Sequence, residues 1–161
     1  MYRYLAIDQI PAKLKIEINT TEHLHVEPLE SFDFQVDSEW FQGNAPVVTY
    51  HLDELMATKL RALYQRRKGR DLFDLWYVLE KGLIDCKRVL NIFSHYCKHN
   101  QESISRAMFE QSLFVKQKHT DFSSDIVQLL ATHVPWQFDR AVKLVEKRLV
   151  SQLKGEAWQG S

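Results

Sequence analysis

The feature that most restricts the fold is a set of charged residues at helix positions that should be buried, within residues 52–79. At 100° per residue, the apolar residues of the first half form one stripe: Leu52, Leu55, Met56, Ala62 and Leu63. Lys59 lies in the middle of this stripe, and Arg66 lies on it two turns later. A lysine in such a place either extends its ammonium group to water or faces an anion or a carboxylate.

A second helix follows a break at Lys68-Gly69, and it carries two aspartates one turn apart on one face, Asp71 and Asp74. The other residues of this helix are mostly large and apolar, which predicts burial. Buried carboxylates need partners, because an unpaired buried charge is costly. The pattern therefore predicts that four side chains converge between the two helices, near a sheet: Lys59, Arg66, Asp71 and Asp74.

Basic residues are clustered between Arg61 and Arg70. One interpretation is a solvated helix end, where the helix dipole favours cations, and the other is a phosphate-binding surface. Arg61 lies opposite the apolar stripe, so we expect its side chain to be exposed.

The order of elements predicts an α+β fold: a small mixed or antiparallel sheet in residues 1–50, a helical region in 51–154 and a flexible tail in 155–161. The predicted strands are 2–8, 13–19, 25–29, 32–36 and 46–50, with Ile10-Pro11, Pro28, Asp37-Ser38 and Gly43-Asn44 as breaks. The predicted helices are 53–67, 70–80, 86–98, 104–116, from Ser123 or Ser124 to 133, and 136–153, with Gly82 as a stop.

Composition excludes several classes of protein. The formal net charge of the 161 residues is zero, which gives no overall attraction to nucleic acid or membrane. The two cysteines lack metal-ligand spacing, and no apolar run is long enough to span a membrane. We expect a cytoplasmic protein with no membrane partner.

The segment ATKLRALYQRRKGRDLFDLWYVL resembles the signature helix pair of the AbiEii/AbiGii toxin family of nucleotidyltransferase-like proteins. The resemblance is clearest over residues 13–83, and its pattern is Lys59-Leu60, Ala62-Leu63, Arg66, Arg70-Asp71 and Asp74. It implies a polymerase-β-like fold and a bacterial toxin–antitoxin or abortive-infection system, which is a form of phage defence.

The resemblance also implies an activity and a site: transfer of a nucleotidyl group from an NTP to an RNA or protein acceptor, with Mg²⁺ and a cognate antitoxin. Glu17, Lys59 and Asp74 match the catalytic residues, and Glu17 matches the Mg²⁺-binding acid. Arg66, Arg70 and Asp71 would bind nucleotide phosphates or have a structural role. From spacing alone, Glu17 is a cross-strand salt-bridge residue, and the polar cluster is a structural network.

The chain departs from the family pattern at its start. The resemblance leads us to expect a Gly-Ser or Gly-Thr segment and then a strand with the first two metal-binding acids, and residues 1–12 contain neither. Two-metal chemistry needs several carboxylates. We therefore expect residues 1–50 to be a partial nucleotidyltransferase sheet, and the chain to be a C-terminal portion with little activity alone. The alternative is a non-catalytic RNA- or protein-binding module that uses the basic stretch Arg61–Arg70.

Overall fold

The computed structural model describes residues 2–5, 9–14, 16, 24–131 and 134–160, and it has an α+β fold. The predicted fold class is confirmed. Two β-hairpins precede the helices, and their strands are β1 (Tyr2–Leu5), β2 (Pro11–Leu14), β3 (Glu30–Asp37) and β4 (Gln42–Thr49). The helices are α1 (Leu52–Gln65), α2 (Gly69–Glu80), α3 (Cys86–His99), α4 (Arg106–Gln117), α5 (Thr120–Ser124) and α6 (Phe138–Arg148).

The described strands form two separate antiparallel pairs, β1–β2 and β3–β4. Pro11 begins β2 and does not end a strand, since proline is tolerated at a first strand residue. No strand covers 25–29, and Gly43-Asn44 lies inside β4, so both predictions were wrong. The β3–β4 turn lies at another predicted break, Asp37-Ser38, where the Ser38 side chain accepts from the Phe41 N–H. Most of the predicted strand 13–19 lies outside the described residues.

The helix predictions hold for the first four helices to within about two residues at each end, the usual uncertainty of helix boundaries. The predicted helix ending at 133 was wrong: α5 ends at Ser124, and Val127–Leu129 is a short 3-10 turn. The last helix is α6, followed by a 3-10 turn at Val150–Gln152. The domain division and the flexible tail stay predictions. Within the predicted tail, the Trp158 N–H donates a hydrogen bond to Glu110 on α4 at 2.7 Å.

Glycines lie at both ends of α2, for different reasons. Gly82 has a φ of +63°, and it ends α2 with hydrogen bonds from Gly82 N to Leu79 O and from Leu83 N to Val78 O. This pairing is the Schellman motif, which favours glycine. Gly69 is required by space, because a Cβ atom there would lie 2.3 Å from the Phe122 carbonyl oxygen.

Helix α1 lies at the centre of the helical region, where it packs against α2, α3 and α4. Within the described residues, the buried core comes from the helices and the turns after α5 and α6, and the strands contribute none of it. Ala57, Leu60 and Leu63 are fully buried on α1, while Leu52 and Leu55 are only partly buried. The predicted one-sided apolar stripe was therefore too narrow, because α1 has neighbours on several sides.

Glu54 is a fully buried carboxylate that attaches the segment after the first hairpin to α1. Its two carboxylate oxygens accept from the backbone N–H groups of Val26 at 2.7 Å and Glu27 at 2.9 Å. The Tyr96 hydroxyl on α3 lies 2.7 Å from Glu54 Oε1 and 2.9 Å from the Leu24 carbonyl oxygen. One carboxylate thus joins residues 24–27, α1 and α3.

We expect Glu54→Gln to lower the free energy of unfolding by about 2–3 kcal/mol. One carboxylate oxygen, which accepts a hydrogen bond from a backbone N–H, would become an NH₂ group, so two donors would face each other. The urea unfolding midpoint measures this loss. Glu39→Gln is the matched control, since Glu39 is exposed and should change stability by less than about 0.5 kcal/mol. Equal midpoints for the two variants would show that Glu54 does not hold the segment.

Candidate functional site

Lys59, Asp71 and Asp74 meet between α1 and α2, as the sequence predicted. The Lys59 ammonium Nζ lies 2.8 Å from Asp74 Oδ2 and 3.4 Å from Asp71 Oδ1. This contact arises because Lys59 lies on the face of α1 that packs against α2, where Asp71 and Asp74 are neighbours one turn apart. The lysine therefore bridges two carboxylates across the helix pair.

Asp71 is the buried centre of this cluster, with a side chain that is 0% exposed. Arg66 binds it with two parallel hydrogen bonds, from Nε to Oδ2 at 2.7 Å and from Nη2 to Oδ1 at 2.8 Å. The hydrogen bond to Asp71 raises the pKa of Arg66 above its ordinary value. A bidentate pair of this kind is stronger and more directional than a single hydrogen bond. Both oxygens of Asp71 are therefore engaged by cations.

The other two groups of the cluster face the solvent in part. The side chains of Lys59 and Asp74 are 32% and 36% exposed, and Asp74 Oδ1 has no partner among the described residues. The Lys59–Asp74 contact is thus accessible to a dissolved ligand. In the Asp71–Arg66 pair, by contrast, the Asp71 side chain is fully buried. Chemically, the cluster can present an ammonium group and one carboxylate oxygen at the protein surface.

The arginines of the basic stretch are paired with carboxylates from other parts of the chain. Arg67 Nη2 lies 2.9 Å from Asp121, and Arg70 binds Asp125 through its backbone N–H and its guanidinium group at 3.2–3.4 Å. Both acids belong to the segment 120–125 around α5. These pairs fix α5 to the loop between α1 and α2.

Arg61 was predicted to be exposed, and this was wrong. Its side chain is 16% exposed, and its Nε lies 2.8 Å from Glu102 Oε2 in the loop between α3 and α4. Gln65 donates to the same carboxylate at 2.8 Å. The hydrogen bond from Arg61 is the main cause that lowers the pKa of Glu102. Arg61 faces away from α2, but α3 and α4 cover that side of α1.

Three further observations limit the site. Glu17 lies outside the described residues, so its predicted role stays a prediction. The described residues contain no group of three or more His, Cys, Asp or Glu side chains placed to hold a metal ion. A cavity of about 590 Å³ lies between α3, the loop after it and residues 152–155, and no residue of the Lys59 cluster lines it.

Sequence reasoning missed Glu54 and the Arg61–Glu102 pair. Both side chains lie on the part of α1 opposite its apolar stripe, where polar residues normally indicate solvent. Only the packing of α3 and α4 on that side could have revealed them. The partners are 42 and 41 residues away in sequence, so no local pattern connects them.

Comparison with known families identifies the chain. A family model described as nucleotidyl transferase AbiEii toxin of a type IV toxin–antitoxin system matches residues 1–144. The chain belongs to the AbiEii family. Neither the comparison with curated proteins nor that with solved structures gives a match.

Membership makes this AbiEii protein a nucleotidyl transferase-type toxin of a toxin–antitoxin system and implies a cognate antitoxin. The match includes both helices of the Lys59 cluster, whose residues carried the resemblance. Among the described residues, no helix is both long and apolar enough to cross a lipid bilayer.

The burial difference between the two aspartates predicts different stability losses. We expect Asp71→Ala to cost about 3–5 kcal/mol, because it leaves Arg66 and Lys59 without their buried partner. Asp74→Ala should cost about 0.2–1 kcal/mol, since this pair is exposed to solvent. The midpoint of chemical denaturation measures both losses, and equal midpoints would contradict the structural role of Asp71.

Arg61→Ala should lower the free energy of unfolding by about 1–3 kcal/mol at neutral pH, because it removes the partner of Glu102. Arg67→Ala, whose ion pair is exposed, is the control, with an expected loss below about 1 kcal/mol. Because the folded-state pKa of Glu102 is depressed, its stabilisation exists above 4.5, its ordinary value, and is lost as the pH falls below it. The stability difference between wild type and Arg61→Ala should therefore shrink on acidification, and a difference that grows would refute the pair.

Proposed function

We propose that this AbiEii protein binds the phosphates of an NTP at the Lys59 cluster and takes part in nucleotidyl transfer to an RNA or protein acceptor. The observation that carries the proposal is the Lys59 ammonium group, which is held by a buried carboxylate and is one-third exposed. Family membership supplies the reaction class. Phosphoryl transfer depends mostly on positioning and charge stabilisation, which such a lysine can provide.

Lys59 acts in this proposal as a point charge on phosphate oxygens. Asp71 is a positioning residue, because it contacts both Lys59 and the guanidinium group of Arg66 while remaining fully buried. A phosphate that displaces Asp74 from Lys59 would leave the Asp71 contact in place. Arg66 is half-exposed beside the lysine and can offer a second cation to the same phosphates.

Asp74 is the candidate proton acceptor. One of its oxygens binds Lys59, and the other has no described partner. When a phosphate takes the Lys59 contact, Asp74 is free to accept the proton of an attacking hydroxyl group. A general base needs hydrogen-bond reach to that proton, and a partly exposed carboxylate beside the phosphate site satisfies this requirement. Glu17 remains a further candidate by its match to the family strand.

Mg²⁺ belongs to the proposal as the usual partner of NTP phosphates, but the described residues do not form its site. Asp71 has both oxygens engaged, and only one oxygen of Asp74 is available. Mg²⁺ needs near-octahedral oxygen coordination, commonly from one or two carboxylates together with phosphates and water. We therefore assign no step to the ion.

The geometry of the basic stretch Arg61–Arg70 argues against the alternative, a non-catalytic RNA- or protein-binding module. The guanidinium groups between Arg61 and Arg70 are paired with carboxylates, so a polyanion would have to displace those partners. Lys68 is the exposed lysine of this stretch. The paired arginines favour a structural role for this stretch.

The proposal predicts that Lys59→Ala weakens NTP binding at least tenfold, because it removes the charge that contacts the phosphates. Isothermal titration with an NTP and Mg²⁺ measures the affinity, and a labelled NTP detects any transfer. Lys68→Ala is the matched control, since it removes a lysine of the same stretch outside the cluster. Equal loss in both variants would indicate general charge attraction, and unchanged NTP binding by Lys59→Ala would refute the proposal.

A further inference from the structure

We propose that α6 and the adjoining end of α2 form a docking surface for single-stranded RNA. The surface consists of a row of cations on α6, Arg140, Lys143 and Lys147, and of a pocket that contains Trp76 and Tyr77. Its role as the acceptor site rests on the proposed function, whereas RNA binding itself does not.

The cations of α6 form a continuous row on its exposed side. Arg140, Lys143 and Lys147 fall within 60° on the helix, at 100° per residue, and all three are exposed. The row is about 10 Å long at 1.5 Å per residue. Among the described residues, no carboxylate lies within ion-pair distance of Lys143 or Lys147, while Arg140 lies 2.7 Å from Glu80.

The helix dipole does not explain this row. Cations are favoured in the last turn, which accounts for Lys147, but Arg140 lies in the first turn, where a positive charge is disfavoured. The opposite face of α6 contains Ala141, Val142 and Val145, which are buried in the core. The apolar side is therefore not available to a lipid bilayer, and a soluble polyanion fits the exposed row better than a membrane does.

A pocket of about 330 Å³ begins where the row begins. Arg140 lines the pocket together with residues from the end of α2 and from the segment before α6: Trp76, Tyr77, Glu80, Lys81, Val134 and Pro135. The volume is at the lower end for ligand pockets, which suits one planar group such as a nucleobase. Aromatic side chains beside a basic groove are the usual means of binding single-stranded nucleic acid, because every base has a stacking face.

Two further features of the pocket suit a nucleobase. The Tyr77 ring is 42% exposed, stacks on Phe73 at 28°, and lies 5.9 Å from the ammonium group of Lys81. Trp76 Nε1 is a buried donor with no acceptor among the described residues. Base edges carry hydrogen-bond acceptors that can supply the missing partner.

The position of the pocket connects it to the Lys59 cluster. Tyr77 follows Asp74 by three residues on α2, so the two side chains are neighbours on the helix surface. RNA with a base at Tyr77 and phosphates along α6 would have its nearby hydroxyl groups about one helical turn from Asp74. This placement suits an acceptor strand that enters the site along α6.

The test is binding of a fluorescent, unstructured RNA oligonucleotide to the wild-type chain, followed by anisotropy at several salt concentrations and without NTP. Lys143→Glu/Lys147→Glu should weaken binding at least tenfold and lower the slope of log affinity against log salt by about 2. The control Lys98→Glu/Lys154→Glu makes the same charge change at exposed lysines on another part of the surface. Thermal unfolding verifies that all variants fold.

The pocket has its own test. Tyr77→Ala should weaken RNA binding about 5- to 100-fold, and Tyr77→Phe should retain it, because stacking needs the ring and not the hydroxyl. Equal effects of the two double variants, or a wild type that binds anionic vesicles and not RNA, would overturn the proposal. If the wild-type chain binds NTP but not RNA, the docking surface is refuted and the proposed function still stands.

Discussion

The bidentate ion pair between Asp71 and Arg66 is the contact on which the arrangement of α1 and α2 depends. Asp71 is fully buried, and a carboxylate in that place is tolerated only if its charge is compensated. Arg66 follows the end of α1, whereas Asp71 lies in the first turn of α2. The pair therefore fixes how the chain turns between the two helices, and Gly69 lets α5 approach closely at the same turn.

The same logic explains the basic stretch. A run of cations at the junction of α1 and α2 would repel itself if it were only solvated. Asp71 at the junction pairs with Arg66, and carboxylates from other segments pair with the remaining arginines. Glu102 comes from the loop after α3, and Asp121 and Asp125 come from the segment around α5. The junction is thus a centre of long-range ion pairs that collects distant segments around α1. Among the described residues, Lys143 and Lys147 on α6 have no carboxylate within ion-pair distance.

Part of this arrangement was predictable from local patterns, and part was not. Lys59 and the two aspartates could be placed together because helical spacing determines which faces of α1 and α2 they occupy. Arg61 and Glu54 could not, since a helical wheel assumes one buried side, and α1 is covered on several. Turn-forming residues predicted breaks at both Asp37-Ser38 and Gly43-Asn44, and only the cross-strand register decides between them: the turn lies at Ser38–Phe41, so the first break is confirmed and the second was wrong. The α+β class depended on none of these details.

The unequal burial of the two aspartates also explains how one lysine can have a structural and a functional role. The Asp71 side of Lys59 is shielded from water, so losing that contact would leave the buried Asp71 charge to Arg66 alone. The Asp74 side is open, and an exposed ion pair contributes little free energy because water competes with it. A phosphate can therefore replace Asp74 at small cost while Asp71 keeps the ammonium group in place. The buried contact with Asp71 therefore positions Lys59, and the exposed contact with Asp74 leaves its ammonium group available to a phosphate.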